Sequence, residues 1–121
     1  TNKKVWYNKE KFSAWGGALT TASNLVFYGT LDRWFKALDA NSGKELWKFQ
    51  VGSGVIGNAF TYGNKGKQYV GVLSGIGGWA GVAMNLGLTT PTDALGAAGG
   101  YAELVKYNAA PGGGALNVFS L

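Results

Sequence analysis

Apolar and polar positions alternate along much of this 121-residue chain, and turn residues interrupt the alternation at short intervals. Gly17 to Ala22 opens the pattern as a first candidate strand. Leu25-Val26-Phe27-Tyr28-Gly29-Thr30 follows, apolar on both faces and so suited to a central strand. Trp34 to Asp39 is the third run and Glu45 to Gln50 the fourth; in the last, Leu46 alternates with Lys48 and Trp47 with Phe49. Ser23-Asn24, Leu31-Asp32-Arg33 and Asn41-Ser42-Gly43 supply turn chemistry between them. Four short strands so evenly spaced predict one propeller blade or a piece of a sandwich.

The pattern then begins again. Val55 to Tyr62 and Lys67 to Leu73 predict a hairpin around Gly63-Asn64-Lys65-Gly66, residues that tolerate positive φ. A long glycine-rich stretch runs from Ser74 to Gly114, and it predicts an ordered loop. Within it Tyr101, Leu104 and Val105 share one helical face, which predicts a short helix near Gly100 to Tyr107. Ala115 to Ser120 returns to strand. The expected organisation is one blade over about 15–51 and a second over 54–121 that carries the inserted loop.

Composition sharpens the class. With 46% hydrophobic and 14% charged residues the chain is built to fold. Its 21 glycines stand beside 5 Trp, 6 Tyr and 6 Phe, a mixture that favours short strands and tight turns around large rings. All-β is the expected class. With no cysteine and no histidine, disulfide frameworks, thiolate nucleophiles, zinc-finger spacings and imidazole bases are excluded within these residues. The net charge of +5 comes from dispersed lysines without an arginine stripe, so nucleic-acid binding is not expected. No secretion signal opens these residues, and Leu121 closes an apolar run abruptly, as the end of a fragment would.

Three patterns resemble sites without their context. Gly75-Ile76-Gly77-Gly78-Trp79-Ala80 has the spacing of a dinucleotide fingerprint, but no βαβ unit surrounds it, and Gly81 with no cap argues against a helix. The uncharged span from Gln68 to Thr92, with Gly77 and Gly81 as a G-x-x-x-G pair, holds too many glycines for a membrane helix and reads as a folded loop. Asp93 and Glu103 are two carboxylates that nothing orients together.

The most specific motif runs from Ala37 to Trp47 and has the form A-x-D-x-x-S-G-x-x-x-W. Ala37 and Asp39 end one strand, and Asp39 can accept backbone N–H groups at the corner. Gly43 supplies the positive-φ position, and Trp47 is expected to pack outward onto a neighbouring blade. This resembles the tryptophan-docking motif of eight-bladed quinoprotein propellers. Trp15 to Thr21, Leu25 to Asp32, Gly66 to Val70, Ser74 to Trp79 and Val118 to Leu121 are similar to the large subunits of the quinone-dependent methanol dehydrogenases, so the resemblance covers essentially the whole chain. Asp32 to Ala37 and Trp79 to Gly87 look more like the lanthanide-type branch than the calcium-type branch.

The resemblance implies about two blades, with four-stranded antiparallel sheets, from the C-terminal part of a larger propeller. It implies oxidation of methanol or another small primary alcohol with pyrroloquinoline quinone, and electrons passed to a cytochrome c. It further implies a periplasmic, homodimeric full-length protein with no transmembrane segment. Trp15 and Trp79 fall where the family has indoles against the cofactor, an indole N–H being a donor that does not repel an anion. Leu95 falls near the apolar substrate funnel. The Ca²⁺ or lanthanide ligands and the catalytic base are expected outside these residues. Two other readings remain open: a non-catalytic propeller that binds proteins through the same docking repeat, and a free-standing small β-domain.

Overall fold

The computed structural model describes residues 2–90, 92, 99, 101–107 and 113–121. Four strands, β1 (Leu19–Thr20), β2 (Leu25–Gly29), β3 (Trp34–Asp39) and β4 (Glu45–Gln50), form one antiparallel sheet in sequential order. Its two inner strands are the ones with apolar residues on both faces: Phe27, Phe35, Ala37 and Leu38 are all buried. β4 is an edge, and every one of its residues is exposed. The register slips between Ala37/Trp47 and Leu38/Glu45, so Leu46 stands outside the pairing as a bulge.

A second sheet holds β5 (Phe60–Asn64), β6 (Lys67–Ser74) and β7 (Ala115–Ser120), again antiparallel and in that order. The all-β expectation holds, and among the described residues this sheet has the three strands read from the pattern, one fewer than the four-stranded blade that the resemblance implies. β5 starts later than the pattern from Val55 implied, because Val55 is fully buried in the core between the sheets instead of pairing along a strand. The hairpin turn is also tighter than expected. Asn64 pairs with Lys67, leaving Lys65 (φ 48°) and Gly66 (φ 77°) as a two-residue turn with both central residues at positive φ.

The sheets meet across one apolar core of Phe27, Phe35, Ala37, Val51, Val55, Val70 and Val72, with Phe119 packed against it. Phe35 has no exposed surface and stacks on both Phe27 (5.9 Å) and Phe119 (5.7 Å). Burying one such ring contributes about 2–3 kcal/mol. The two meanders open alike, Gly16-Gly17-Ala18-Leu19-Thr20 in the first and Gly57-Asn58-Ala59-Phe60-Thr61 in the second. They run so close there that a Cβ on Gly16 would lie 2.4 Å from the Gly57 carbonyl oxygen.

The stretch after β6 holds the short helix expected near Gly100 to Tyr107, and before it another where a loop was expected. Gly78–Asn85 is an α-helix, α1, and Ala102–Tyr107 is a 3₁₀ helix. The helix escaped the pattern because small residues, not a stripe of large ones, make its contact face: Ala80 and Ala83 are fully buried. Burial against Ile76, Leu31 and Leu104 offsets the cost of Gly81 in its interior. These residues, with Met84 and the flanking Phe12, Ile56, Tyr101 and Val105, form a second apolar cluster that caps one end of the sheets. No helix among the described residues is long and apolar enough to cross a membrane.

Candidate functional site

Two places on the chain carry the residues that the sequence singled out. The first is the corner between β3 and β4. Asp39 Oδ1 accepts the backbone N–H groups of Asn41 (3.0 Å) and Ser42 (2.7 Å) and the Ser42 hydroxyl (2.8 Å). Those bonds, the Ser42 side chain first, hold its carboxyl below the usual carboxylate range. Gly43 sits at φ 71°. A ring lies on it: the indole of Trp6, so close that a Cβ on Gly43 would stand 2.6 Å from the ring. The same indole donates its N–H to the Ala40 carbonyl at 2.8 Å. Corner and ring together make a dock.

The sequence pattern missed Trp6, since the Asp and Gly that would announce it are not present before it. A signal existed nonetheless: Trp6 stands 41 residues before Trp47, about one blade length. Trp47, opposite Ala37 across the β3–β4 pair, faces the second sheet. It meets Phe119 edge-on at 5.0 Å, yet 39% of it is exposed. An apolar groove of about 570 Å³ lies beside it, lined among others by Leu46, Val118 and Leu121.

The second place is the cap. Trp15, on a segment without regular structure, has 43% of its surface exposed. Its indole N–H donates to the Tyr101 hydroxyl at 2.8 Å, and the rings meet edge-to-face at 5.7 Å. The N–H expected to serve an anion is therefore already used, and the ring face is what Trp15 offers. Trp79 lies in the first turn of α1 and is 69% exposed. Trp15 reaches the second apolar cluster through Tyr101, and Trp79 precedes another member of it, Ala80, along α1. The Trp79 side chain makes no hydrogen bond among the described residues. Gly77 and Gly78, which precede it, have open space on the side where a Cβ would project, and no side chain caps the helix.

Around them Lys11 donates to Tyr107, Phe12 meets Tyr107 edge-on at 5.8 Å, and Lys106 bonds Glu103 at 3.1 Å. The Lys106 bond, then its charge and that of Lys11, hold Glu103 below its usual range. Asp93 and Leu95 lie outside the described residues. Gly75 to Ala80 does join a strand to a helix, but in an antiparallel sheet, so the dinucleotide reading fails on topology. No group of three or more His, Cys, Asp or Glu side chains is gathered among the described residues.

Comparison with known proteins gives a consistent result. Residues 2–70 match the family model described as "PQQ: Glucose/ethanol/alcohol dehydrogenase, beta-propeller domain". The chain is 60% identical over 119 residues to a lanthanide-dependent methanol dehydrogenase of Methylorubrum extorquens, covering 98% of this chain and 20% of that protein. It is 48% identical over 121 residues to methanol dehydrogenase [cytochrome c] subunit 1 of Methylobacterium organophilum, covering all of this chain and 19% of that protein. Among solved structures a europium-containing methanol dehydrogenase superposes with a TM-score of 0.84 at 46% identity, over 98% of this chain and 21% of that one. The chain thus spans about a fifth of the length of these relatives.

Proposed function

The chain belongs to the PQQ-dependent glucose/ethanol/alcohol dehydrogenase β-propeller family, and from that premise we propose that it is part of a quinoprotein alcohol dehydrogenase. The full-length protein oxidises methanol or a similar small primary alcohol to the aldehyde and hands the electrons to a cytochrome c. It works in the periplasm as a homodimer. The relative at 60% identity is lanthanide-dependent, which favours a lanthanide over Ca²⁺ as its ion. The ion's ligands and the catalytic base come from other parts of the longer polypeptide. When bound, the quinone supplies the oxidising power and the metal ion acts on it as a Lewis acid.

This segment's part is to form one side of the cofactor pocket. The observation that carries the assignment is that both indoles are exposed, Trp15 beside Tyr101 of the second apolar cluster and Trp79 next in sequence to its Ala80. Both suit a flat, anionic ring system. Trp15 offers a π face with its N–H already satisfied. Trp79 offers an N–H that no described residue takes up, beside the uncapped start of α1, where backbone donors favour negative charge. Leu95 is assigned to the substrate funnel on resemblance alone.

The test is to express the full-length protein with the quinone and either La³⁺ or Ca²⁺ and to assay dye-linked methanol oxidation. Quinone-dependent activity supports the enzyme, and the metal that sustains it identifies the ion. A folded protein that binds no quinone under either metal would make it a scaffold propeller. Trp79→Ala then addresses the site itself. Quinone retained after dialysis falls at least several-fold, while the melting temperature moves by no more than about 2–4 °C, as befits an exposed ring. Unchanged quinone content would remove Trp79 from the pocket.

A further inference from the structure

We propose that Tyr101 is a positioning residue for Trp15. It fixes the indole's angle and takes up its N–H, so that Trp15 presents a rigid π face to the flat cofactor. The inference rests on the reading that Trp15 borders the quinone pocket.

Among the described residues no other hydrogen bond or ring contact holds the Trp15 side chain. Its segment has no regular structure, and much of the ring is exposed. The backbone just after it is fixed, with Gly16 against Gly57 and the Gly17 N–H donating to the Asn58 side chain. That restrains the Cα position but leaves the side-chain torsions free. The contacts that set the ring are those with Tyr101: a 2.8 Å N–H···O bond and an edge-to-face approach at 71° between the planes. Because the contact uses the indole edge, it leaves the faces available for stacking.

Tyr101 is itself anchored. It packs on the Leu31, Ile76 and Leu104 cluster, and its carbonyl accepts the Leu104 N–H at 3.0 Å. A second aromatic pair, Phe12 on Tyr107, joins the same two segments at 77° between the planes, reinforced by Lys11. The segments 11–15 and 101–107 are thus linked by two edge-to-face rungs. Only the Trp15 rung ends on an indole bordering the proposed pocket. The long insertion between β6 and β7 thereby does more than cover the sheets. It carries the hydroxyl that orients a cofactor-facing ring of the preceding blade.

The test uses full-length apo-protein titrated with pyrroloquinoline quinone by equilibrium dialysis, with the absorbance of the bound quinone and near-ultraviolet circular dichroism as independent readouts. Tyr101→Phe removes one oxygen and keeps the ring, so the fold survives. It is expected to weaken quinone binding about 3–10-fold, the loss of one oriented hydrogen bond. The tryptophan dichroism and the quinone band should change with it. Trp15→Phe weakens binding at least as much. In that background Tyr101→Phe has no further effect, the signature of two residues acting as one. Tyr107→Phe, on the other rung, leaves quinone affinity unchanged. If Trp15→Phe weakens binding while Tyr101→Phe alters neither affinity nor spectrum, Trp15 keeps its place and the role of Tyr101 is overturned. If the two losses simply add, Tyr101 acts independently and the positioning role falls. If neither variant changes the quinone, the placement of Trp15 itself is wrong.

Discussion

Trp6 and Trp47 are the same side chain in two states of completion. Trp6 lies on Gly43 with its N–H on the Ala40 carbonyl, so ring and donor are both satisfied by a corner one blade further along. Trp47 sits one blade later, on an edge strand, with an aromatic neighbour on one side and an apolar groove on the other. No described corner receives its N–H. β7 shares the groove, with Leu116 and Val118 exposed on the edge of a three-stranded sheet. The difference teaches how such blades are joined. The outer tryptophan that meets a corner of the next blade is docked, while the surface around Trp47, which meets no described corner, is apolar and open.

The sharpest way to break the comparison is to truncate both rings in the full-length protein. If each is docked there, Trp6→Ala and Trp47→Ala cost similar amounts, about 2–4 kcal/mol by chemical denaturation, with quinone affinity per folded molecule retained. A Trp47→Ala loss below about 1 kcal/mol beside a large Trp6→Ala loss would mean that the groove faces solvent.

How much of this was legible beforehand follows the physics of each element. β2, β3 and β4 were readable to within a residue because alternation and turn chemistry agree there, and the Asp39 corner was readable because its bonds are local in sequence. α1 was not. Its contact face is made of Ala80, Gly81 and Ala83, and their burial depends on Ile76 and Leu31, which no periodicity within the helix reveals. The Trp15–Tyr101 bond spans 86 residues and left no local trace. Trp15 and Trp79 could be picked out by resemblance, but that Tyr101 takes up the Trp15 N–H could only come from the fold.

A smaller effect tests the dock from its other side. Gly43→Ala places a methyl group against the Trp6 ring at a φ of 71°, a backbone state that alanine resists. A loss of about 1–3 kcal/mol is expected, from strain and from ring displacement together. In the Trp6→Ala background only the backbone strain remains, so the loss should shrink to about 1 kcal/mol. Equal losses in both backgrounds would show that the ring does not depend on the glycine surface.

The smallest expected effect concerns how the docked segment is pinned. Glu10 follows Trp6 and lies across β2 and β3, taking the Tyr28 hydroxyl and the Lys36 ammonium, the latter at 2.9 and 3.0 Å. Burial first, then the Glu10 hydrogen bond and its charge, push the Tyr28 phenol well above its ordinary value. The fold therefore prefers the neutral phenol. Its contribution is complete below the unfolded pKa near 10 and is lost as pH rises through 10 toward the higher folded value. Among the described residues Trp47 has no comparable pin, so alkaline loosening should begin on the Trp6 side. The wild-type denaturation midpoint should fall above about pH 10 more steeply than that of Tyr28→Phe, which starts about 1 kcal/mol lower at neutral pH for want of the hydroxyl bond. Parallel pH profiles would mean that the phenol does not hold the segment, and that Trp6 stays in its corner through its ring and its N–H bond to Ala40.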